Sequence, residues 1–314
     1  MSRYILKRIG QSIVVLLAVT IIVFLIIQAL PGDPIKIFLG ESASSEQVEH
    51  YTKLFGFDQP VFVQYFKWVT GLFKGEMGLS VTYSKDVSDI LPARILATLS
   101  LSVPAFILSI FIGILLGIIS AYRRGKFVDS LISAISNIGL ATPQFFLGIL
   151  IILLFALQLK WIPVQGYTSI FDDFGTATKQ LIGPVLVLAI GQSASFARQT
   201  RSAMLEEMGQ DYMRTARSKG VKEHVVILRH GLRNALIPLV TVMGMAFGRI
   251  VGGAVIIENL FSIPGIGQLL TTAINNSDYF VVEDIVFLIS LFVIACNLIV
   301  DILYGILDPR IRVE

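Results

Sequence analysis

Charge is scarce in this sequence. Asp, Glu, Lys and Arg make up 15% of its 314 residues, against about a quarter in soluble domains, while 54% are hydrophobic and the mean hydropathy is +0.77. That balance excludes a soluble globular domain and indicates an integral membrane protein. The net charge of +3 is too small, and the basic residues lie too close to apolar runs, to argue for a nucleic-acid partner. There is one cysteine, Cys296, within an apolar run, so neither a disulfide framework nor a cysteine zinc site can be built.

Catalytic constellations are missing too. No Gly-x-x-x-x-Gly-Lys-Ser/Thr loop occurs, so the chain lacks the phosphate cradle of a P-loop ATPase. Gly265-Ile266-Gly267 lacks the third glycine of a dinucleotide site, and a turn before a short surface or re-entrant helix accounts for it. Gly191-Gln192-Ser193 offers a serine inside an apolar run, but a serine nucleophile needs a nearby base, and His50, His224 and His230 all fall in polar stretches. Asp301 is the only aspartate well inside an apolar run, so an aspartate pair is absent.

What the sequence has is apolar runs. Residues 9–30 are long enough to cross a hydrocarbon core, too long for a signal-peptide core, and preceded by Arg3, Lys7 and Arg8. We read them as an uncleaved first span. Further spans are expected at 97–121, 131–159 with a kink at Pro143, 181–197, 236–257 with Pro238 near its start, and 284–307. Between the first two lies the longest polar region, 31–95, with a helical stretch near 47–55 and an amphipathic one over 61–73. The second carries Phe62, Tyr65, Phe66, Trp68 and Phe73, suited to the membrane surface or to a cap on the spans.

The basic residues orient the spans. Arg3, Lys7, Arg8, Arg123, Arg124, Lys126, Arg310 and Arg312 fall on one side with the segment 198–235, while the short loops opposite hold only Lys160 and Lys179. By the positive-inside rule both termini and segment 198–235 are cytoplasmic, and 31–95 is extracytoplasmic. Loop 258–283, opposite, has no Lys or Arg. Its Glu258-Asn259 reads as a solvated boundary or a partner contact.

Segment 198–235 carries Arg198, Arg201, Arg214, Arg217, Lys219, Lys222, Arg229 and Arg233. Within it, 211–220 reads as one short helix. Asp211 is placed to cap its first N–H groups, Gly220 to close it in a left-handed conformation, and Arg214, Arg217 and Lys219 sit toward the negative end of its dipole. A helix this short is marginal in water and needs a docking surface. It has the form of a handle for a soluble partner.

On span five, Gly244, Gly248 and Gly252 recur at every fourth residue, a ridge open to close helix packing or to a passage. Arg249 lies thirteen residues into that span, roughly 20 Å along the helix. An exposed guanidinium there is costly in lipid, so it faces a passage, pairs with another subunit or snorkels outward. Neither Glu258 nor Asp301 is placed to pair with it.

Arg214-Thr215-Ala216 with Gly220, His230, Asn234 and Pro238 resembles the cytoplasmic loop of ABC importer permeases, in the form used by the dipeptide, oligopeptide and nickel branch. Matches extend over the chain: Leu30-Pro31-Gly32-Asp33-Pro34, Phe57-Asp58-Gln59-Pro60, Glu258 to Phe261 with Pro264-Gly265, and Asp308-Pro309-Arg310-Ile311-Arg312. Arg214 and Thr215 stand where the wider superfamily has Glu and Ala, and Ser277-Asp278-Tyr279-Phe280 where this branch usually has Arg-Asp-Tyr-Pro.

The resemblance implies an all-α, polytopic fold of six spans like that of type I importer permeases, as one transmembrane domain over 1–314. It implies no covalent chemistry, and passage of di- or oligopeptides, with nickel or glutathione as alternatives. The implied partners are a second related permease, two cytoplasmic ATPases that bind ATP and Mg, and an extracytoplasmic substrate-binding protein. Coupling to the ATPases then falls to Asp211, Tyr212, Arg214, Thr215, Ala216 and Gly220, and the passage to Gly244, Gly248, Arg249 and Gly252. A channel or secondary transporter would share the hydropathy. Neither needs such a helix, and no inverted pair of broken spans is visible.

Overall fold

Long apolar runs with few internal breakers produce long helices. The structure is a computed structural model that describes residues 2–29, 34–40 and 43–307. The segments Leu30 to Asp33 and Asp308 to Arg312, with Arg310 and Arg312, lie outside the described residues. Helix α1 (Ser2–Gln28) leads to three short helices, α2 (Pro34–Leu39), α3 (Ser45–Phe55) and α4 (Val61–Lys74), and to an antiparallel pair of two-residue strands, β1 (Leu79–Ser80) and β2 (Lys85–Asp86). Then come α5 (Val87–Tyr122), α6 (Phe127–Ala141), α7 (Gln144–Ile151) with a π-helical extension Ile152–Gln158, and α8 (Phe174–Met208). The chain ends with α9 (Asp211–Ser218), α10 (Glu223–Val225), a π-helical turn Val226–Gly231, α11 (Leu232–Phe261), α12 (Ile266–Asn275) and α13 (Tyr279–Leu307).

Five helical stretches are long and apolar enough to cross a membrane: Ile5–Gln28, Val87–Tyr122, Phe174–Met208, Glu223–Phe261 and Tyr279–Ile302. The sixth candidate is a bent pair. Pro143 does not kink a continuous span, as the sequence reading had it. It separates α6 from α7, which meet at 102°. A proline disfavours the helical region for the residue before it, and Thr142 is accordingly extended at φ −81°, ψ 123°. Pro238 also differs from expectation, because helix begins at Glu223 and the proline lies inside α11.

The centre of the bundle is α5 against α8, and small residues make that pair possible. A Cβ on Gly113 would lie 2.4 Å from Cβ of Phe196, and one on Gly117 2.4 Å from Cβ of Thr200. Side chains there would force the helices apart. Ala97, Leu101 and Ala105 of α5 then join Val187 and Leu188 of α8 and Ile250, Ala254, Ile257 and Phe261 of α11 in one buried cluster.

The end away from α9 is locked by polar groups. Glu258, read from sequence as a solvated boundary or a partner contact, is fully buried. Its carboxylate accepts from Thr98 Oγ1 at 2.6 Å and from Gln268 N at 3.0 Å, while Thr98 Oγ1 accepts from Ile266 N at 2.8 Å. A carboxylate thus sits on the positive end of α12 and ties it to α5 and α11. Gly265 is required by this contact, since a Cβ there would lie 2.3 Å from the carboxyl carbon. Asp278, also buried, accepts from Ser80 Oγ at 2.6 Å and from Thr82 N at 3.0 Å, so the turn before α13 is anchored on the strand pair.

Helix α4 packs on the spans through one face and leaves aromatic side chains exposed on the other. Tyr65 and Trp68 pack on Phe24 of α1, with ring centroids 5.5 and 6.0 Å apart, whereas Phe62, Phe66 and Phe73 remain exposed. Helix α3 is closed by a capping box, Gln47 N donating to Ser44 Oγ at 3.2 Å and Ser44 N to Gln47 Oε1 at 3.0 Å.

Candidate functional site

Helix α9 owes its position to one apolar side chain and one hydrogen-bonded chain. Segment 198–235 is less of a loop than expected: α8 continues to Met208, and helix resumes at Glu223. Only short turns flank α9. Met213 is fully buried, its methyl 3.1 Å from the place a Cβ on Gly231 would take. The glycine lets α9 sit directly on the π-helical turn. Asn234 Nδ2 of α11 donates to the Tyr212 hydroxyl at 3.0 Å, and that hydroxyl donates to Glu207 of α8. Burial, reinforced by the Glu207 carboxylate, raises the Tyr212 phenol above its ordinary value, so it stays protonated and able to donate at neutral pH. Arg217 closes the outgoing side with a bidentate contact to Glu223, at 3.1 Å from Nε and 3.0 Å from Nη2.

The caps are partly as expected. Gly220 is left-handed at φ +75°, with Gly220 N donating to Arg217 O at 2.9 Å and Val221 N to Ala216 O at 3.3 Å, the paired bonds of a glycine-closed helix end. Gln210, not Asp211, holds the N-cap position, and its side chain makes no cap bond. Asp211 is the first helical residue and lies 3.6 Å from Arg214, a solvent-exposed pair of little energetic weight. Asp211, Tyr212, Arg214 and Thr215 line the outward face, Ala216 is half-buried, and Gly220 is exposed.

The second group of sequence candidates lies apart from α9, along α11. The glycine ridge divides. A Cβ on Gly244 would lie 2.0 Å from Val300 of α13, so that position is helix packing, and Gly248 faces Val293 at ordinary contact distance. Among the described residues nothing lies within 4 Å of a Cβ built on Gly252, which is exposed, as is Arg249. Asp301 pairs with Arg8 at 3.1 Å, and Glu258 is held by Thr98, so neither acid serves Arg249. Gln144 at the start of α7 lies beside Gly191 of α8 and Gly253 of α11. Gln192, Ser195 and Gln199 of α8 are partly exposed at helical spacing. A half-open polar stripe inside a membrane-length helix calls for a wet or protein-covered neighbour rather than lipid.

A bundle of five or six membrane-length helices with a short exposed helix pinned at its basic end agrees with the family comparison. The model described as binding-protein-dependent transport system inner membrane component matches residues 113–313, and its N-terminal companion matches residues 1–102. The chain belongs to this family of importer permeases.

A permease named for peptide transport in Brucella abortus (strain 2308) is 42% identical over 314 residues, covering both chains in full. The oligopeptide transport system permease AppB of Bacillus subtilis (strain 168) is 38% identical over 315 residues, with 99% and 100% of the two chains covered. The glutathione transport system permease GsiC of Escherichia coli O6:H1 is 37% identical over 312 residues and 99% of each chain. The fold is that of type I importer permeases, and the protein is a multi-pass component of the bacterial inner membrane.

The sequence reading of this permease missed one cluster. Asp129, which the sequence did not single out, is buried and accepts from Arg201 Nε at 2.7 Å, Arg201 Nη2 at 2.9 Å, Ser120 Oγ at 2.6 Å and Gly125 N at 2.9 Å. It fastens α5, α6 and α8 together at the end that carries α9. Its one sequence signal was an acid among basic residues at the foot of a span. Asp129→Ala strands a partly buried guanidinium, and we expect a loss on the order of 3 kcal/mol. Thermal unfolding in detergent checks this, and an unchanged midpoint would count against the cluster.

Proposed function

We propose that this permease forms, with a second related permease, the peptide passage of an ATP-driven importer, and that α9 is the element its ATPases push. The carrying observation is the asymmetry of α9. One face is bolted to α8, the π-helical turn and α11 through Met213, Tyr212 and Arg217, while the other offers Asp211, Arg214 and Thr215 to solvent. A partner that moves the outer face therefore moves two membrane-length helices as one body. ATP and Mg belong to the two ATPases, which supply the chemistry this chain lacks. The substrate-binding protein meets the extracytoplasmic surface that includes 31–95, and both termini are cytoplasmic. Peptide cargo rests on the names of the relatives, which include peptide, oligopeptide and glutathione permeases.

Orientation is tested by labelling. In a Cys296→Ser background, a cysteine at Ser44 reacts with an impermeant thiol reagent in intact cells and one at Ser218 only after permeabilisation. Reaction at Ser218 in intact cells overturns the assignment. Cargo is tested at Arg249. Open space at Gly252 one turn away and the absence of an acid partner among the described residues favour a passage-facing guanidinium that receives a peptide carboxylate. Arg249→Gln should slow uptake of a free-carboxylate peptide about tenfold more than its amide, the worth of one charge-assisted hydrogen bond. Equal slowing of both returns Arg249 to a structural role.

A further inference from the structure

Between α1, α3, α4 and the start of α13, at the end away from α9, lies a cavity of about 280 Å³. Its walls are aromatic. Phe24 stacks on Trp68 at 6.0 Å between centroids, and Phe55 and Phe57 each pack on Phe280, at 5.6 and 5.8 Å. These contacts fix the positions of the rings that line the space.

One carboxylate reaches into that space. Glu283 lines the cavity and is only 7% exposed. Among the described residues no group donates a hydrogen bond to its carboxylate, and no cation lies within ion-pair distance. Behind it are two fully buried acids. Asp284 accepts from Trp68 Nε1 at 2.9 Å and Asp278 from Ser80 and Thr82, yet Asp284 Oδ2 and Asp278 Oδ1 lack partners among the described residues. Among the described residues the one basic side chain on the walls is that of Lys67 of α4, which is exposed and holds its ammonium beside Gly56. Glu76 adds another acid to the rim.

A buried carboxyl group with no donor or ion-pair partner among the described residues, walled by aromatic side chains, suits a cation with an apolar body. A divalent metal is a poor match, since among the described residues no three acidic, histidine or cysteine side chains converge. We propose that this cavity binds an organic ammonium, its N–H groups donating to Glu283 and its body lying against Trp68 and Phe280. The buried carboxyl group gains the partner its burial otherwise denies it. Two sources carry this chemistry: a free aralkylamine, and the amino-terminal residue of a peptide. The cavity is close to the lower size of small-molecule sites, which matches one such group rather than a long peptide. The inference is independent of α9 and of the direction of transport.

The test uses the full-length chain in lipid nanodiscs with Trp161→Phe, which leaves Trp68 as the sole tryptophan. Phenethylamine, phenylalanylglycine and the neutral 2-phenylethanol are titrated against its fluorescence. A saturable change is expected with phenethylamine, with the dipeptide, or with both, and which of them binds identifies the source. The alcohol should bind at least about tenfold more weakly, and Glu283→Gln should weaken the amines by a similar factor. Glu283→Asp keeps the carboxyl group on a shorter stem and should retain most of the binding, which separates a lost carboxyl from a lost fold. Equal binding of amine and alcohol, no response to any probe, or unchanged affinity in Glu283→Gln each overturns the proposal.

Discussion

Ala216→Trp is expected to leave the permease inserted and assembled while ATP-driven peptide uptake falls on the order of ten- to a hundredfold. Ala216 follows Met213 by three residues, so it borders the buried face of α9 while remaining half-open to a partner. An indole there projects into the space an ATPase would fill, one turn along the helix from Tyr212, so the complex is checked for assembly before uptake is read. Coupling between sites is commonly worth about 1–3 kcal/mol, a factor of 5 to 150 in the linked equilibrium. Gly220 provides a matched control. Nothing lies within 4 Å of a Cβ built there, so any effect of substitution comes from the backbone at φ +75°. Gly220→Val opposes that conformation by about 1–2 kcal/mol, whereas Asn visits it readily. Uptake should therefore drop in Gly220→Val and persist in Gly220→Asn. The measurement is ATP hydrolysis and uptake in proteoliposomes, read side by side. An Ala216→Trp complex that couples the two normally removes α9 from the coupling path.

The second large effect is expected at the α5–α8 contact. Gly113→Leu or Gly117→Leu should prevent stable accumulation of the protein, because a Cβ alone already falls 2.4 Å from Phe196 or Thr200. The obstacle at Gly113 also includes the Ser193 carbonyl at 3.0 Å, and at Gly117 the Ala197 carbonyl at 2.7 Å, so no side-chain rotation relieves it. Overpacking of this kind costs about 1–3 kcal/mol where neighbours can shift, and more where backbone must move. Gly252→Ala is the contrasting case, with nothing within 4 Å, and its thermal midpoint should hold or rise through helix propensity. Detergent-solubilised yield and thermal unfolding read both. Full accumulation of Gly113→Leu would mean that α5 and α8 do not approach as described.

The sequence by itself determined the class of this protein, because its signals are local. Apolar runs of membrane length, a helix closed by Gly220, the stretch that becomes α4 and the motif residues from Arg214 to Asn234 are all written in adjacent positions. Helix geometry and the hydrophobic effect act on them one segment at a time.

Only the tertiary structure decided where polar groups go. Glu258 looked like a solvated boundary because a carboxylate at a span end usually is, but it is buried on the positive end of α12 by Thr98, a residue 160 positions earlier in the chain. Asp129 finds Arg201 72 positions away, and Asp278 finds Ser80 198 positions away. Pro143 marked a perturbation in sequence, yet whether it kinks a span or splits it depends on what surrounds the freed backbone groups. The glycine ridge of α11 is uniform in sequence, and only the structure shows Val300 beside Gly244 and, among the described residues, nothing within 4 Å of a Cβ on Gly252. Glu283 shows the same limit: nothing adjacent to it in sequence predicts that α1 and α4 will wall it in with aromatic rings. Burial and pairing of a polar side chain are properties of its neighbours in space, and those neighbours are set by the packing of distant helices.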